Sequence, residues 1–298
     1  MKPASASPDV LLHLAESLQT QWRRYRKQLK RCQRQFSEAA VHKSRVETRR
    51  LLATVELLCA FFPERDVKKA RRALKDHLNS FDQLRDTQVQ LVYVEHLLPS
   101  DPAAKKFHLW LRERESRFIR ESRKAVRKIR TRRLGERIAT FERELERLGE
   151  NTKPERAFSM TQGAIRLAFS RVAQLCRRVN AADTATIHGT RIAFKRFRYM
   201  VDALAPLLPA VTDQHRQAMR GYQSMMGDIQ DVEVLLMTMD KFIKHGNNND
   251  TTQRLRTEFT RRREQLIRVY LNAAGKLQQF WPLQPASGTI PRTDKDKT

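Results

Sequence analysis

A chain of 298 residues, 40% of them hydrophobic, is long enough for one large domain or two similar ones around a packed core. Its 9 glycines and 11 prolines disfavour a loop-rich all-β fold or a disordered chain, and no stretch approaches 18 uncharged apolar residues, which excludes a membrane-spanning helix. Lys and Arg number 59 against 33 Asp and Glu, a net charge of +26 with 41 Arg to 18 Lys; self-repulsion of that size calls for a polyanionic partner, and the planar Arg fork favours phosphate.

The N-terminal residues 1–8 carry no apolar segment of a secretory signal and, with 285–298, are predicted to be disordered. Between these ends, helical periodicity predicts helices over 9–32, 38–62, 65–97, 101–130, 132–148, 156–180, 184–206, 210–243 and 250–281. Ser37 and Asp183 each stand five residues before a histidine, His42 or His188, as N-cap residues. Pro63, Pro154, Pro206, Pro209, "LPSDP" (98–102) and "HGNNND" (245–250) punctuate the helices. No run alternates with period two long enough for a strand. Cys32, Cys59 and Cys176 sit in apolar helical contexts and read as reduced thiols of a cytoplasmic protein.

The chain repeats itself. "VHKSRVETRRLL" (41–52) aligns with "IHGTRIAFKRFR" (187–198), pairing His42 with His188, Arg45 with Arg191, Arg49 with Lys195 and Arg50 with Arg196. "LRDTQVQLV" (84–92) aligns with "IQDVEVLLM" (229–237), and at that offset Arg71 meets Arg216 and Lys75 meets Arg220. The expected organisation is therefore a first helical half over 9–149, a linker over 150–156 and a second half over 157–284. A unit of this length suits a helical bundle better than a solenoid repeat.

His188, Arg191, Lys195 and Arg198 fall within about an 80° arc of one helix. That arc borders the apolar face made by Ile187, Phe194, Phe197, Val201 and Leu204. Arg45 and Arg49 border the matching face of the first half. Cations at a core border predict a groove shared by both halves, with Arg71, Lys75, Arg216 and Arg220 as a second tier. Ordinary inter-helix pairing with Glu47, Glu56, Asp86 or Asp231 is the competing account for any single arginine.

These two motifs and their downstream segments resemble the two halves of a CHAD domain, over roughly residues 9–284. The resemblance implies an all-α fold of two similar four-helix bundles related by a pseudo-twofold axis, with a basic cavity between them. It also implies binding of inorganic polyphosphate without a cofactor or established catalysis, and association with polyphosphate granules. The expected contacts are Arg45, Arg49, Arg191, Lys195 and Arg198, then Arg50, Arg196, Arg71, Lys75, Arg216 and Arg220, with His42 and His188 beside them. Leu52 stands where the second half has Arg198, so the cavity is expected to be lopsided.

Two other functions fit the composition. A nonspecific nucleic-acid binder would use the same charge, although aromatics are 7% and only Tyr199 stands beside the stripe as a base-stacking candidate. A phosphoester hydrolase would use the histidines and the pairs Asp82–Asp86 and Asp228–Asp231, which could hold Mg²⁺ through water or simply pair with arginines. No H-E-x-x-H, C-x-x-C or Gly-rich phosphate loop is present. The expectation is a binding protein and not an enzyme. The basic segment 110–133, with Glu113, Glu115 and Glu121 among its arginines, reads as a solvated helix face.

Overall fold

The computed structural model describes residues 9–98 and 102–282. The termini expected to be disordered, 1–8 and 285–298, lie outside the described residues. What is described is all-α, without a strand, in ten α-helices: α1 Val10–Arg34, α2 Glu38–Leu57, α3 Glu64–Asn79, α4 Asp82–Glu95, α5 Pro102–Lys128, α6 Arg132–Asn151, α7 Pro154–Cys176, α8 Thr184–Leu204, α9 Asp213–Lys244 and α10 Asp250–Ala273.

Side-chain caps start both motif helices where the sequence places them. Ser37 Oγ accepts from the Ala40 amide at 3.3 Å and Asp183 Oδ1 from the Ala185 amide at 3.1 Å. Each cap satisfies an amide that the helix itself leaves without a partner. Of the linker expected over 150–156, only Thr152 and Lys153 lie between helices: α6 runs to Asn151 and α7 begins at Pro154, whose ring suits the first helical turn.

One helix departs from expectation. The periodicity over 65–97 predicts a single helix, but the chain breaks after Asn79 and restarts at Asp82. Ser80 turns its hydroxyl back to the Asp76 carbonyl at 3.1 Å, and Phe81 is buried at the corner. The aligned stretch of the second half passes through Met225 and Met226 unbroken within α9. Apolar residues keep spacings of three and four across the corner, through Leu74, Leu78, Phe81 and Leu84, so local periodicity hides the break.

The apolar interior is shared between the halves. A larger cluster joins residues of α1, α2, α3 and α6 to residues of α7, α8, the first half of α9 and the end of α10. A smaller cluster joins α4 and the start of α5 to the end of α9 and the start of α10. In this arrangement α2 packs directly on α8, and α4 on α9. The two basic stripes therefore meet along one seam, with α4 and α9 beside it.

Candidate functional site

Each motif helix buries one flank and turns its cations along the edge of that flank. On α2 the buried residues include Val41, Ser44, Thr48, Leu51, Leu52 and Val55; on α8 they include Ile187, Thr190, Phe194, Phe197 and Val201. Arg45 and Arg49 are one turn apart on α2, and Arg191 and Lys195 are one turn apart on α8.

The seam brings these four together. The charged groups acting on the Lys195 ammonium are Arg49, Arg191 and Arg45, opposed by Asp82. Burial first, and then those three cations, push Lys195 down to about 7. Arg45 is 9% exposed; burial and Arg49 lower its pKa, and Asp82 at 3.5 Å opposes the shift. Its guanidinium lies 5.9 Å from the Phe81 ring. The break between α3 and α4 thus supplies both the ring beneath Arg45 and the carboxylate beside it.

Compensation is incomplete. Arg49 Nε and Arg191 Nε are buried and make no hydrogen bond, and Arg45 Nη1 meets Asp82 only as an ion pair. A buried N–H left without an acceptor costs about 1–3 kcal/mol. Arg191 lies against α9, where a Cβ on Gly227 would stand 3.8 Å from its Nε. Towards α4 and α9 the seam turns acidic. Asp86 is raised to about 6 by burial, Asp82 and Asp231, with Arg45 and Arg85 opposing. Asp231 is raised by burial, with Arg191 opposing. Among the described residues no cluster of three or more His, Cys, Asp or Glu is arranged to hold a metal ion.

The other predicted contacts are placed differently. Arg198, 8% exposed, donates from Nε to Gln223 at 2.9 Å and from Nη1 to Asp202 at 2.6 Å, and lies 4.5 Å from the Tyr199 ring. Tyr199 thus makes a cation–π contact with a neighbour on its own helix. Arg216 pairs with Asp213, and both Arg216 and the exposed Arg220 act on Asp202. Arg71 and Arg196 converge on buried Glu56, at 3.2 Å and 2.8 Å. Arg50 pairs with Glu47 at 2.8 Å, and Lys75 is exposed on α3. His188 Nδ1 bonds Gln230 Oε1, tying α8 to α9, while His42 is exposed on α2.

Arg85 is the seam cation that sequence reasoning missed. It stands beside Asp86 in a segment read for its aspartates, and it acts on Arg45, Asp86 and Asp231. The available signal was its alignment with Gln230, which marks a polar position facing the motif helix.

Comparison with known proteins adds three findings. A family model described as "CHAD domain" matches residues 15–240. A solved structure of the CHAD domain from the plant Ricinus communis superposes with a TM-score of 0.62 at 17% identity, covering 91% of this chain and 94% of that one. PptA from Streptomyces chartreusis superposes with a TM-score of 0.64 at 13% identity, covering 90% of this chain and 100% of that one. No curated protein matches. At these identities the two structures establish a shared fold.

Proposed function

The chain belongs to the CHAD domain family, and from that premise and the chemistry of the α2–α8 seam we propose that it binds inorganic polyphosphate without turning it over. One observation carries the reading: buried Arg49 Nε and Arg191 Nε lack acceptors beside Arg45 and Lys195. Four cations from two helices are held together against their own repulsion. A polyanion laid between them supplies the missing acceptors and relieves that repulsion.

Polyphosphate suits the seam because it is thin, flexible, evenly charged and without bases. The central contacts are Arg45, Arg49, Arg191 and Lys195. Arg71, Arg196 and Arg198 turn donors to carboxylates of the chain itself, so they frame the seam, and Arg216 pairs with Asp213 through one terminal nitrogen while its Nε has no acceptor. Bound to long chains, the protein would gather at polyphosphate granules in the cytoplasm. No described helix is long and apolar enough to cross a membrane.

The test is a titration with long-chain polyphosphate at about physiological salt, with duplex DNA as competitor at equal phosphate. Wild type should bind polyphosphate and resist DNA. Removing charge at Arg49, Arg191 and Lys195 together should weaken binding by at least about a hundredfold, since each charge-assisted bond contributes roughly 1.5–3 kcal/mol. It should also lower the salt slope by about one unit for each phosphate-binding cation removed. Removing Arg112, Arg117 and Arg120, exposed along α5, should change binding little. Equal losses from both triples would mean a diffuse field and no seam site, and displacement by DNA would give the seam to nucleic acid. Orthophosphate released in the presence of Mg²⁺ would make the protein a hydrolase.

A further inference from the structure

A second basic surface lies away from the seam. Residues 17–37 contain no acidic residue and seven cations: Arg23, Arg24, Arg26, Lys27, Lys30, Arg31 and Arg34. Residues 122–135 also contain no acidic residue and seven cations: Arg123, Lys124, Arg127, Lys128, Arg130, Arg132 and Arg133. All fourteen are exposed. The first set covers the outer face of α1, opposite buried Tyr25, Leu29 and Cys32. The second covers the corner between α5 and α6.

The fold joins these segments. Gln33 Nε2 donates to the carbonyls of Val126 and Ile129 at 3.0 Å and 3.1 Å, locking the end of α1 onto the corner. The Arg123 guanidinium lies 5.9 Å from the Phe36 ring. At the other end, α6 approaches α1 so closely that a Cβ on Gly135 would stand 2.9 Å from Trp22 Cζ2. Among the described residues, Arg132 is the one cation of the fourteen with an ion pair, to Glu136 at 3.0 Å, and Arg23 acts on Glu142. The charges that dominate at Lys195 and Arg45 all belong to the seam.

This surface is not part of the repeat. In the second half, α7 precedes α8 as α1 precedes α2, yet it carries only Arg156, Arg166 and Arg171 along its length. A duplicated seam needs no such addition on one half. Charge in this excess, unneutralised and confined to one face, is the footprint of a polyanion partner. Ten of the fourteen are arginines, which favours phosphate.

An aromatic residue narrows the class. Trp22 is half-buried and lines a cleft with Arg26, Thr131, Arg132 and Gly135. Its ring stacks on Tyr25 at 5.5 Å, and Arg26 lies 5.7 Å from its centroid. An indole held beside guanidinium planes inside a field of arginines suits an unpaired base followed by its phosphates. Inorganic polyphosphate has no use for the indole. A lipid surface would call for apolar side chains to insert, and the large exposed ones, such as Leu12, Val92 and Leu109, all fall outside these two segments.

We propose that the outer face of α1 and the α5–α6 corner form a second anion-binding surface that takes single-stranded nucleic acid, with phosphates on the arginines and a base against Trp22. Polyphosphate and nucleic acid would then occupy different faces of one molecule, so the chain would link the two polymers.

The experiment titrates the full chain with a labelled single-stranded RNA of ~20 nucleotides, and separately with long-chain polyphosphate. Four proteins are compared: wild type, Arg26→Glu/Arg132→Glu/Arg133→Glu, Arg49→Ala/Lys195→Met, and Trp22→Phe. The substituted arginines of the outer face are all exposed, so the triple variant keeps its core, and its thermal transition checks that. The triple variant is expected to lose RNA affinity about a hundredfold or more while keeping polyphosphate affinity within about twofold. The seam variant should show the reverse. Trp22→Phe should weaken RNA binding about fivefold or more and remove the quenching of tryptophan emission that RNA causes. Undiminished RNA binding in the triple variant, or its loss in the seam variant, overturns the proposal. So does polyphosphate that displaces RNA phosphate for phosphate, because the face would then read charge alone.

Discussion

Lys195 concentrates the electrostatics of the seam in one ammonium group. Arg49, Arg191 and Arg45 face it from α2 and its own helix, and Asp82 faces it from the start of α4. Its pKa is pushed down to about 7, so in the empty seam it gives up its proton above that pH. A polyphosphate beside it would hold the proton on. Binding above pH 7 therefore takes up a proton, and affinity should fall by up to about tenfold per pH unit. Below about pH 6 the protonation of Asp86 removes a negative charge near Arg45, and affinity should rise again. The stability consequence has the opposite sign. An unfolded lysine keeps its proton to about 10.5, so between 7 and 10.5 the unfolded chain binds more protons and the destabilisation caused by protonated Lys195 is progressively relieved as pH rises. Titrations between pH 6 and 9 check the binding slope. Lys195→Met should flatten the limb above pH 7 and lower affinity below it. A wild-type profile already flat from 7 to 9 would mean that Lys195 stays protonated in the empty seam.

Between helices, carboxylates decide which arginines are free. Glu56 on α2 is 4% exposed, and its Oε2 meets Arg71 of α3 and Arg196 of α8. The repeat places Asp202 at the matching position of α8, where it takes Arg198 at 2.6 Å and lies near Arg216. Glu56 thus pairs directly with an arginine of the following helix, whereas Asp202 pairs within its own helix and feels Arg216 only through its field. Glu56→Gln should lower stability by about 2–4 kcal/mol, because it leaves half-buried Arg71 with only exposed Glu64 at 4.0 Å, while half-exposed Arg196 turns to water. Urea unfolding measures the loss, and polyphosphate affinity should stay within about twofold. A large loss of affinity instead would put Arg71 and Arg196 among the phosphate contacts. The sequence shows which cations share a helix face, because spacings of three and four follow from helix geometry wherever a helix forms. It therefore groups Arg45 with Arg49 and Arg191 with Lys195, but it also groups Arg198 with the second pair, and the fold gives that guanidinium to Gln223 and Asp202. It does not show that Glu56 reaches across to α8, since residues so far apart in the chain meet only through packing of α2 on α8. The break at Ser80 is hidden for a related reason: Asn79 and Ser80 are weak helix formers, but apolar spacings of three and four run on through Leu78, Phe81 and Leu84. The α5 segment reads as a solvated face on its own. Its significance appears only where Gln33 ties it to α1.

For the molecule as a whole, a charge of +26 makes folding compete with self-repulsion, and the two basic surfaces set how that competition responds to solution conditions. Exposed charges separated by more than a Debye length, about 10 Å at 0.1 M salt, cease to act on one another. The outer face of α1 is nearly free of ion pairs, so screening removes repulsion there and sacrifices little attraction. The midpoint of thermal unfolding should therefore rise as sodium chloride is raised from low to moderate concentration. Long-chain polyphosphate should act more strongly, because a ligand that binds the folded state alone adds about 2.7 kcal/mol at a hundred times its dissociation constant. For a chain of this size that gain shifts the midpoint upward by roughly 4 °C. The two effects should compete: added salt raises the midpoint of the free protein while weakening the polyphosphate complex, so the increment due to polyphosphate shrinks as salt rises. Differential scanning calorimetry over a salt series, with and without polyphosphate, reads both trends. A midpoint that falls with salt would mean that pairs such as Arg196–Glu56 and Arg198–Asp202 outweigh the repulsion. The cations of the seam would then be balanced within the fold, and a polyanion would have no strain left to relieve.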